Sequence, residues 1–435
     1  MAALFFSPWI LQWPILWPGL DETSVPILAN LPKLRLADML AVASIALYAF
    51  AGWSGLRQLG RRSVRWWLWS LTGLAILSVL SITWAMDTNL ALVFAAHSVL
   101  WIAFAVRVAA DDLPPRSLAL SLTAGMFVNS AICLLQFATQ HSLGLTFFGE
   151  LPLDPAAPGI SVIGNNDIHL LRVYGLSGHP NVIGGFMAVA LIWSLGLVAR
   201  SSRRWLPMIL GAWLLGWLTL MLSFSRSAWL GIAFALGWMA SLMFWRRVYR
   251  RYAGRVIAVV GIIVISILLL ANMFNIFLIE RLTADQTSLL ESVSIRERID
   301  LIQAAVELIE LRPLTGVGIG NFIAGSQRFI GPEVGHDWVH NVPLLIASEM
   351  GLPGVTLWLI GLAAIGRSLV RTYRRSALDM WQIAAACSIA AMLVIMQFDH
   401  YWWTSSQGVY MWAAITGWLM SQNSEASAPR SALGC

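Results

Sequence analysis

Apolar residues fall along this chain in runs long enough to cross a bilayer, separated mostly by short polar connections. Twelve such runs are legible, at about 4–20, 37–56, 66–85, 90–109, 117–137, 181–199, 205–222, 228–245, 256–278, 342–366, 380–398 and 405–420. A transmembrane helix needs about 20 predominantly apolar residues, so each run predicts a spanning helix. The first is interrupted by Pro8, Pro14 and Pro18, and proline removes a backbone donor from a helix interior. Two polar stretches are longer than the rest, 138–180 and 279–341. In the second, SIRERIDLIQAAVELIEL places Ile295, Ile299, Ile302, Val306 and Ile309 at three- and four-residue spacing. That spacing predicts an amphipathic helix over about 295–311, lying at the membrane–water boundary or packed over the mouth of the bundle. Arg312-Pro313 stops it. Gly316, Gly318 and Gly320 follow in LTGVGIGNF. With no βαβ pattern around them, they predict a turn or a close backbone approach rather than a dinucleotide site.

Composition agrees with this pattern. The 435 residues are 58% hydrophobic and 11% charged, a charged share about half that of a soluble domain. Disorder, a secreted disulfide scaffold and a cytosolic enzyme are excluded. The expected fold is an all-α polytopic membrane protein of about 12 transmembrane helices, with 1–435 as a single integral-membrane domain. Cys133 and Cys387 lie in apolar runs and Cys435 ends a polar tail, so no disulfide framework is expected. The first 20 residues contain no Lys or Arg, so no cleaved signal peptide is expected.

Charge orients the spans. With loops assigned alternately to two sides, one side holds 19 of the 28 basic residues and four of the 22 acidic ones. The positive-inside rule then places both termini in the cytoplasm and puts 138–180 and 279–341 outside. This topology accounts for the net charge of +6, and no nucleic-acid partner is expected.

The candidate chemistry lies on the outer side. Its basic residues are Lys33, Arg35, Arg172, Arg226, Arg281, Arg296, Arg298, Arg312 and Arg328. They either pair with nearby acids or bind an anionic substrate, for which the guanidinium fork suits phosphate. Arg226, in LSFSRSAWL between two apolar runs, either snorkels to the interface or points into an outward cavity. Arg296 and Arg298 stand near the expected start of the amphipathic helix, where cations oppose the macrodipole. His336 and His340, in GHDWVHNVPLL, share one face if that stretch is helical. HDWVH echoes the zinc-protease pattern HExxH with Asp in place of Glu, but no third ligand is evident and no metal is expected. His340 alone is a candidate general base or an interfacial histidine that only hydrogen-bonds. GLSGHPN at 175–181 ends the other outer stretch, and Asp399-His400 precedes Tyr401, Trp402 and Trp403, an interfacial aromatic belt with sugar stacking as a second use.

Four motifs together resemble the O-antigen ligase and O-antigen polymerase superfamily of bacterial membrane glycosyltransferases. They are Arg172 with GLSGHPN, SFSRSAWLG with Arg226, RIDLIQAAVELIELRPLTGVGIGNF from Arg298, and HNVPLLIASEMGLPG with His340, Asn341 and Glu349. The chain departs from the family pattern at Ile302, where an aromatic is usual, and at Leu311 or Arg312, where a His is common. The resemblance implies a cofactor-free, metal-independent, inverting transfer of a glycan from an undecaprenyl-diphosphate carrier at the periplasmic face of the bacterial inner membrane. The acceptor it implies is a hydroxyl of lipid A–core, and membrane lipid surrounds the chain. It assigns Arg226 and Arg298 to the diphosphate and His340 to the acceptor hydroxyl, with Arg172, Arg296, Asn341 and Asp399 as further substrate-binding candidates. An O-antigen polymerase, a protein O-oligosaccharyltransferase, a solute transporter and an intramembrane metalloprotease are the alternatives. A transporter should carry charges near the bilayer midplane, and these runs hold almost none.

Overall fold

The structure is a computed structural model. It describes residues 2, 12–14, 33–50, 59, 62–111, 113–164, 169–245, 247, 249–283, 289–332, 334, 337–375 and 379–425. The 4–20 run, His336 and Cys435 lie outside the described residues, apart from the short strand Gln12–Pro14.

The other eleven apolar runs are helices. They are α1 (Leu36–Phe50), α2 (Arg62–Ser81), α3 (Thr88–Ala110), α4 (Pro115–Thr139), α5 (Pro180–Arg200), α6 (Leu206–Leu222), α7 (Arg226–Trp245), α8 (Tyr249–Thr283), α11 (Val342–Arg375), α12 (Met380–Ile395) and α14 (Ser406–Glu425). Three more lie between them: α9 (Leu289–Leu311), α10 (Phe322–Phe329) and the single turn α13 (Tyr401–Thr404). Among the described residues, seven helices are long and apolar enough to cross a membrane, with α1, α6 and α12 shorter and apolar. The chain is thus an all-α polytopic membrane protein.

Burial follows sequence. The α5 span, PNVIGGFMAVALIWSLGLVAR, is apolar around its whole circumference, and every residue from Pro180 to Ala199 is buried. Such a helix belongs at a bundle centre, and α4, α6, α7 and α12 enclose it. By contrast, α8 is the most apolar helix yet only 6% buried, so its side chains face lipid. The bundle has two chemically distinct ends. At one, Arg200 pairs with Asp379, and Arg255 donates to the carbonyls of Ala199 and Ser201 at the end of α5. At the other lie Arg172, Asn181, Ser227, Asp399 and His340.

Helix α11 is broken. Gly351 has φ +69° and ψ −175°, and Pro353 follows it. A break in a membrane helix frees backbone groups that lipid cannot satisfy. Here the segment after α9 satisfies them: Val317 N donates to Ser348 O (2.9 Å), Gly318 N to Glu349 O (2.9 Å), and Leu352 N to Pro313 O (2.8 Å). That approach needs glycine. Gly316 has φ +63°, and a Cβ there would lie 2.4 Å from the carbonyl C and O of Glu349; a Cβ on Gly351 would lie 2.5 Å from those of Leu314. The GVGIGN run is the close backbone approach expected of it.

Helix α9 contains the expected amphipathic stretch 295–311 and starts earlier. It begins at Leu289, not near 295, and its buried face is Leu301, Ala304, Ala305 and Leu308, packed with Val317, Phe322, Val339 and Leu345. Ile299, Ile302 and Val306 of the expected stripe are exposed. Two alanines that read as neutral in sequence let α9 sit close to α11, while the larger isoleucines face outward. The 138–180 stretch is also folded. Strands Val162–Gly164 and His169–Leu171 pair antiparallel. The Glu150 carboxylate accepts from Gln136 Nε2 (2.7 Å) and from the N–H groups of Leu143 (2.7 Å) and Leu145 (2.6 Å).

Gly316→Ala combines a positive-φ penalty with a backbone overlap, and we expect it to cost about 2–3 kcal/mol or more. Thermal unfolding in detergent should show a clear loss against Gly211→Ala, where nothing lies within 4 Å of the new Cβ.

Candidate active site

The candidate residues converge from four elements at the end of the bundle opposite Arg200. Arg172, 5% exposed, follows the Val162–Leu171 hairpin. Its Nε donates to Ser223 O (2.8 Å) and its Nη2 to Asn181 Oδ1 (2.7 Å). Asn181 Nδ2 donates to Asp399 Oδ1 (2.9 Å), and Ser227 Oγ donates to Asp399 Oδ2. Arg172, Asn181, Asp399 and Ser227 therefore form one buried chain joining the 138–180 stretch, α5, α7 and the end of α12. Such groups are costly to bury unless satisfied.

The SFSRS turn sets the position of α7. Phe224, 2% exposed, has φ +47°, a left-handed conformation that strains a bulky residue. It turns the Ser223 carbonyl toward Arg172. Ser225 caps α7: its carbonyl accepts from Trp229 N (2.9 Å) and its Oγ from Ala228 N (3.4 Å). Arg226 is then the first helical residue and is half-buried. A cation at the positive end of a helix is locally unfavourable, and an anion bound there offsets it. The dipole argument raised for Arg296 and Arg298 thus applies to Arg226, because α9 starts several residues before either.

Within α9, Arg298 precedes Leu301 by three residues and shares its inward face. Arg296, two residues further back and about 200° round the helix, is exposed. Arg298 is close enough for its charge to act on His340.

Residues 337–340 are not helical, and His336, the other histidine of the expected same-face pair, lies outside the described residues. The neighbour of His340 is His400, with ring centroids 5.1 Å apart and planes at 87°. Asp337 lies between them, Oδ2 3.8 Å from His340 Nε2 and Oδ1 3.4 Å from His400 Nε2. His340 Nδ1 is buried and has no hydrogen-bond partner among the described residues. Burial, then the neighbouring His400 and Arg298, lower the His340 pKa to about 4, against the opposing pull of Asp337 and Asp399. The imidazole is neutral at pH 7 and able to accept a proton. Desolvation acts to raise the Asp337 carboxyl, but His400, His340 and the Trp338 N–H outweigh it and hold the group below the usual carboxylate range.

His179 borders the same region. Its Nδ1 accepts from Asn181 N (3.1 Å), capping α5, and its Nε2 lies 3.2 Å from Ser161 Oγ. The protein around it, and then Arg172, lower its pKa to about 3, so it too is neutral. Asn341 is the N-cap of α11: its Oδ1 accepts from Leu344 N (3.0 Å), and its Nδ2 donates to Gln397 O (3.2 Å). Val342 N donates to Met396 O (2.8 Å). Asn341 thereby ties His340 to the segment that carries Asp399, a positioning task rather than a free polar surface.

Sequence reasoning missed Asn181, Ser227 and His179, although each lies in or beside a motif chosen for its arginine. Asp337 and His400 were noticed but not joined, because 63 residues separate them. We expect Asp399→Ala to strand the Asn181 and Ser227 donors and to remove the anion that compensates Arg172, at a cost of about 3 kcal/mol. Asp399→Asn, which keeps one acceptor, should unfold at a temperature between those of Asp399→Ala and the unaltered protein.

Residues 210–359 match a family model described as O-antigen ligase. No curated protein matches the chain. Arg172, Asn181 and Asp399 lie outside the matched stretch but are hydrogen-bonded to one another at the same end of the bundle. The matched stretch holds Arg226, Arg298, His340 and the break in α11, and in that part the chain is similar to the O-antigen ligase family.

Proposed function

We propose that the chain is an O-antigen ligase-like glycosyltransferase. It moves a glycan from an undecaprenyl-diphosphate carrier to a hydroxyl of lipid A–core, at the periplasmic face of the inner membrane, with both of its own termini cytoplasmic. The observation that supports this best is a neutral imidazole, His340, beside Asp337 and His400 and within reach of the Arg298 charge, at one end of a membrane bundle.

In this reading Arg226 and Arg298 bind the diphosphate and offset the charge that grows on it as the glycosidic bond breaks. Arg172 adds positive potential beneath them; its hydrogen bonds to Ser223 and Asn181 make it a fixed charge. His340 takes the proton of the acceptor hydroxyl through Nε2 as the new bond forms, with inversion at the sugar carbon. Asp337 and Asp399 then stabilise the imidazolium. Arg296 is the alternative phosphate contact, and Asn341 orients His340 through the α11 cap. Diphosphate is already a good leaving group, so two guanidinium groups suffice and no metal or cofactor takes part. A polymerase would use the same groups with a second carrier-linked glycan as acceptor.

The test uses protein in detergent, carrier-linked glycan and lipid A–core, with EDTA present. We expect a mass shift of lipid A–core that falls about 10²–10³-fold in Arg226→Ala and in Arg298→Ala. In His340→Ala it should fall about 10²–10⁴-fold. Normal transfer by both arginine variants would remove the diphosphate assignment. Growth of the carrier-linked glycan instead would make the protein a polymerase.

A pH profile is a separate check. His340 acts as a base only when neutral, and its pKa is lowered to about 4. The acid limb of kcat/KM should therefore fall near pH 4, with little loss through pH 6.5.

A further inference from the structure

Three metal-ligating side chains meet at this site without good hydrogen bonds between them. One ligand atom each from Asp337, His340 and His400 lies within 4.8 Å of the other two. The two carboxylate–imidazole separations are 3.4 and 3.8 Å. A charge-assisted hydrogen bond closes at about 2.7–2.9 Å, so the carboxylate stands too far from either ring to bond well. The ligand atoms of a tetrahedral zinc centre, each about 2.0–2.1 Å from the metal, stand about 3.3 Å apart. The two carboxylate–imidazole pairs are already near that spacing, and all three ligand atoms lie within 4.8 Å, so side-chain rotation can close them around an ion.

Two further observations agree. Thr404 Oγ1 lies 2.8 Å from His400 Nδ1. With a metal on Nε2, Nδ1 carries the proton and Thr404 accepts it, the outer-shell contact that fixes a ligating imidazole. The Asp337 side chain is 54% exposed, so an ion has an open route and the fourth coordination position is left to water.

We propose that Asp337, His340 and His400 form a binding site for a divalent transition metal such as Zn2+, and that its occupancy inhibits the enzyme. The metal takes the Nε2 lone pair of His340 and so removes the base. The site stands on geometry alone; the inhibition rests on the reading of His340 given above. Two imidazoles and one carboxylate suit zinc rather than magnesium or calcium, which favour all-oxygen shells.

The test is titration of metal-free protein, prepared without a histidine tag, with Co2+ as a spectroscopic probe. A tetrahedral Co2+ spectrum at one equivalent is expected. Affinity should fall more than about tenfold in His400→Ala and in Asp337→Asn; the second change is at an exposed group and spares the fold. Zn2+ should inhibit transfer by the unaltered protein, and the ratio of inhibited to uninhibited rate should return toward one in both variants. No spectrum, or the same spectrum in both variants, would overturn the site. Co2+ binding without zinc inhibition would overturn the inhibitory role and the assignment of His340 as base. A protein that binds Co2+ in this way but transfers no glycan would retain the site and lose the proposed function.

Discussion

The break in α11 is the constraint on which the end of this molecule that holds His340 and Asp399 depends. A helix broken within a bilayer-spanning element leaves backbone groups that cost several kcal/mol each if unsatisfied. The chain meets that cost with its own backbone, through the exchange between 313–318 and 348–352. Backbone can approach backbone so closely only where side chains are missing, hence Gly316 and Gly351. The partner segment is joined to α9 through Arg312-Pro313, so fixing it fixes α9 and the inward face on which Arg298 lies. The first half of α11 starts at Asn341, which is bonded to the end of α12. One backbone exchange thus helps set Arg298, His340 and Asp399 relative to one another.

The electrostatics follow from what each charge can find nearby. Asp399 has Asn181 and Ser227, and Arg172 has Asn181 and the Ser223 carbonyl, so this pair is fixed in place before any ligand arrives. Arg226 heads α7, where the local field is already positive. Arg298 faces a neutral histidine whose protonation it disfavours. Around the uncharged imidazole, Asp337 and Asp399 favour protonation while His400 and Arg298 oppose it, and burial tips the balance to the neutral form.

Much of the fold was legible because its signals are local. Eleven of the twelve apolar runs are helices, and the glycine run was read as a close approach from residue type alone. The face of α9 that packs on α11 was not legible in the sequence, for a physical reason. Period analysis weights large aliphatic residues, but the buried face is built on Ala304 and Ala305, whose small size permits contact with α11. The arginines and His340 stood out because charges are rare in such a sequence. Asn181 and Ser227 did not, since a neutral polar residue gains importance only from its partner, and Asp399 is more than 170 residues from either. The 340–400 histidine pair is a product of tertiary structure for the same reason.

The aliphatic stripe of α9 lies on the face turned away from α11. A helix that buries Leu301, Ala304, Ala305 and Leu308 while exposing Ile299, Ile302 and Val306 has apolar residues toward two surroundings. Exposed aliphatic rows are unfavourable in water but stable where a helix rests on the membrane–water boundary. The inward face holds α9 to α11, and the outward row suits it to that boundary. On the proposed topology Arg298 then lies near the depth of lipid head groups, with its charge acting on His340. A diphosphate attached to a polyprenyl chain also lies at that depth, because the chain stays in hydrocarbon and the phosphates stay in water. On the function proposed above, both faces of one helix serve the same end: the inner face orients the guanidinium, and the outer face sets the level at which a lipid-borne anion would meet it.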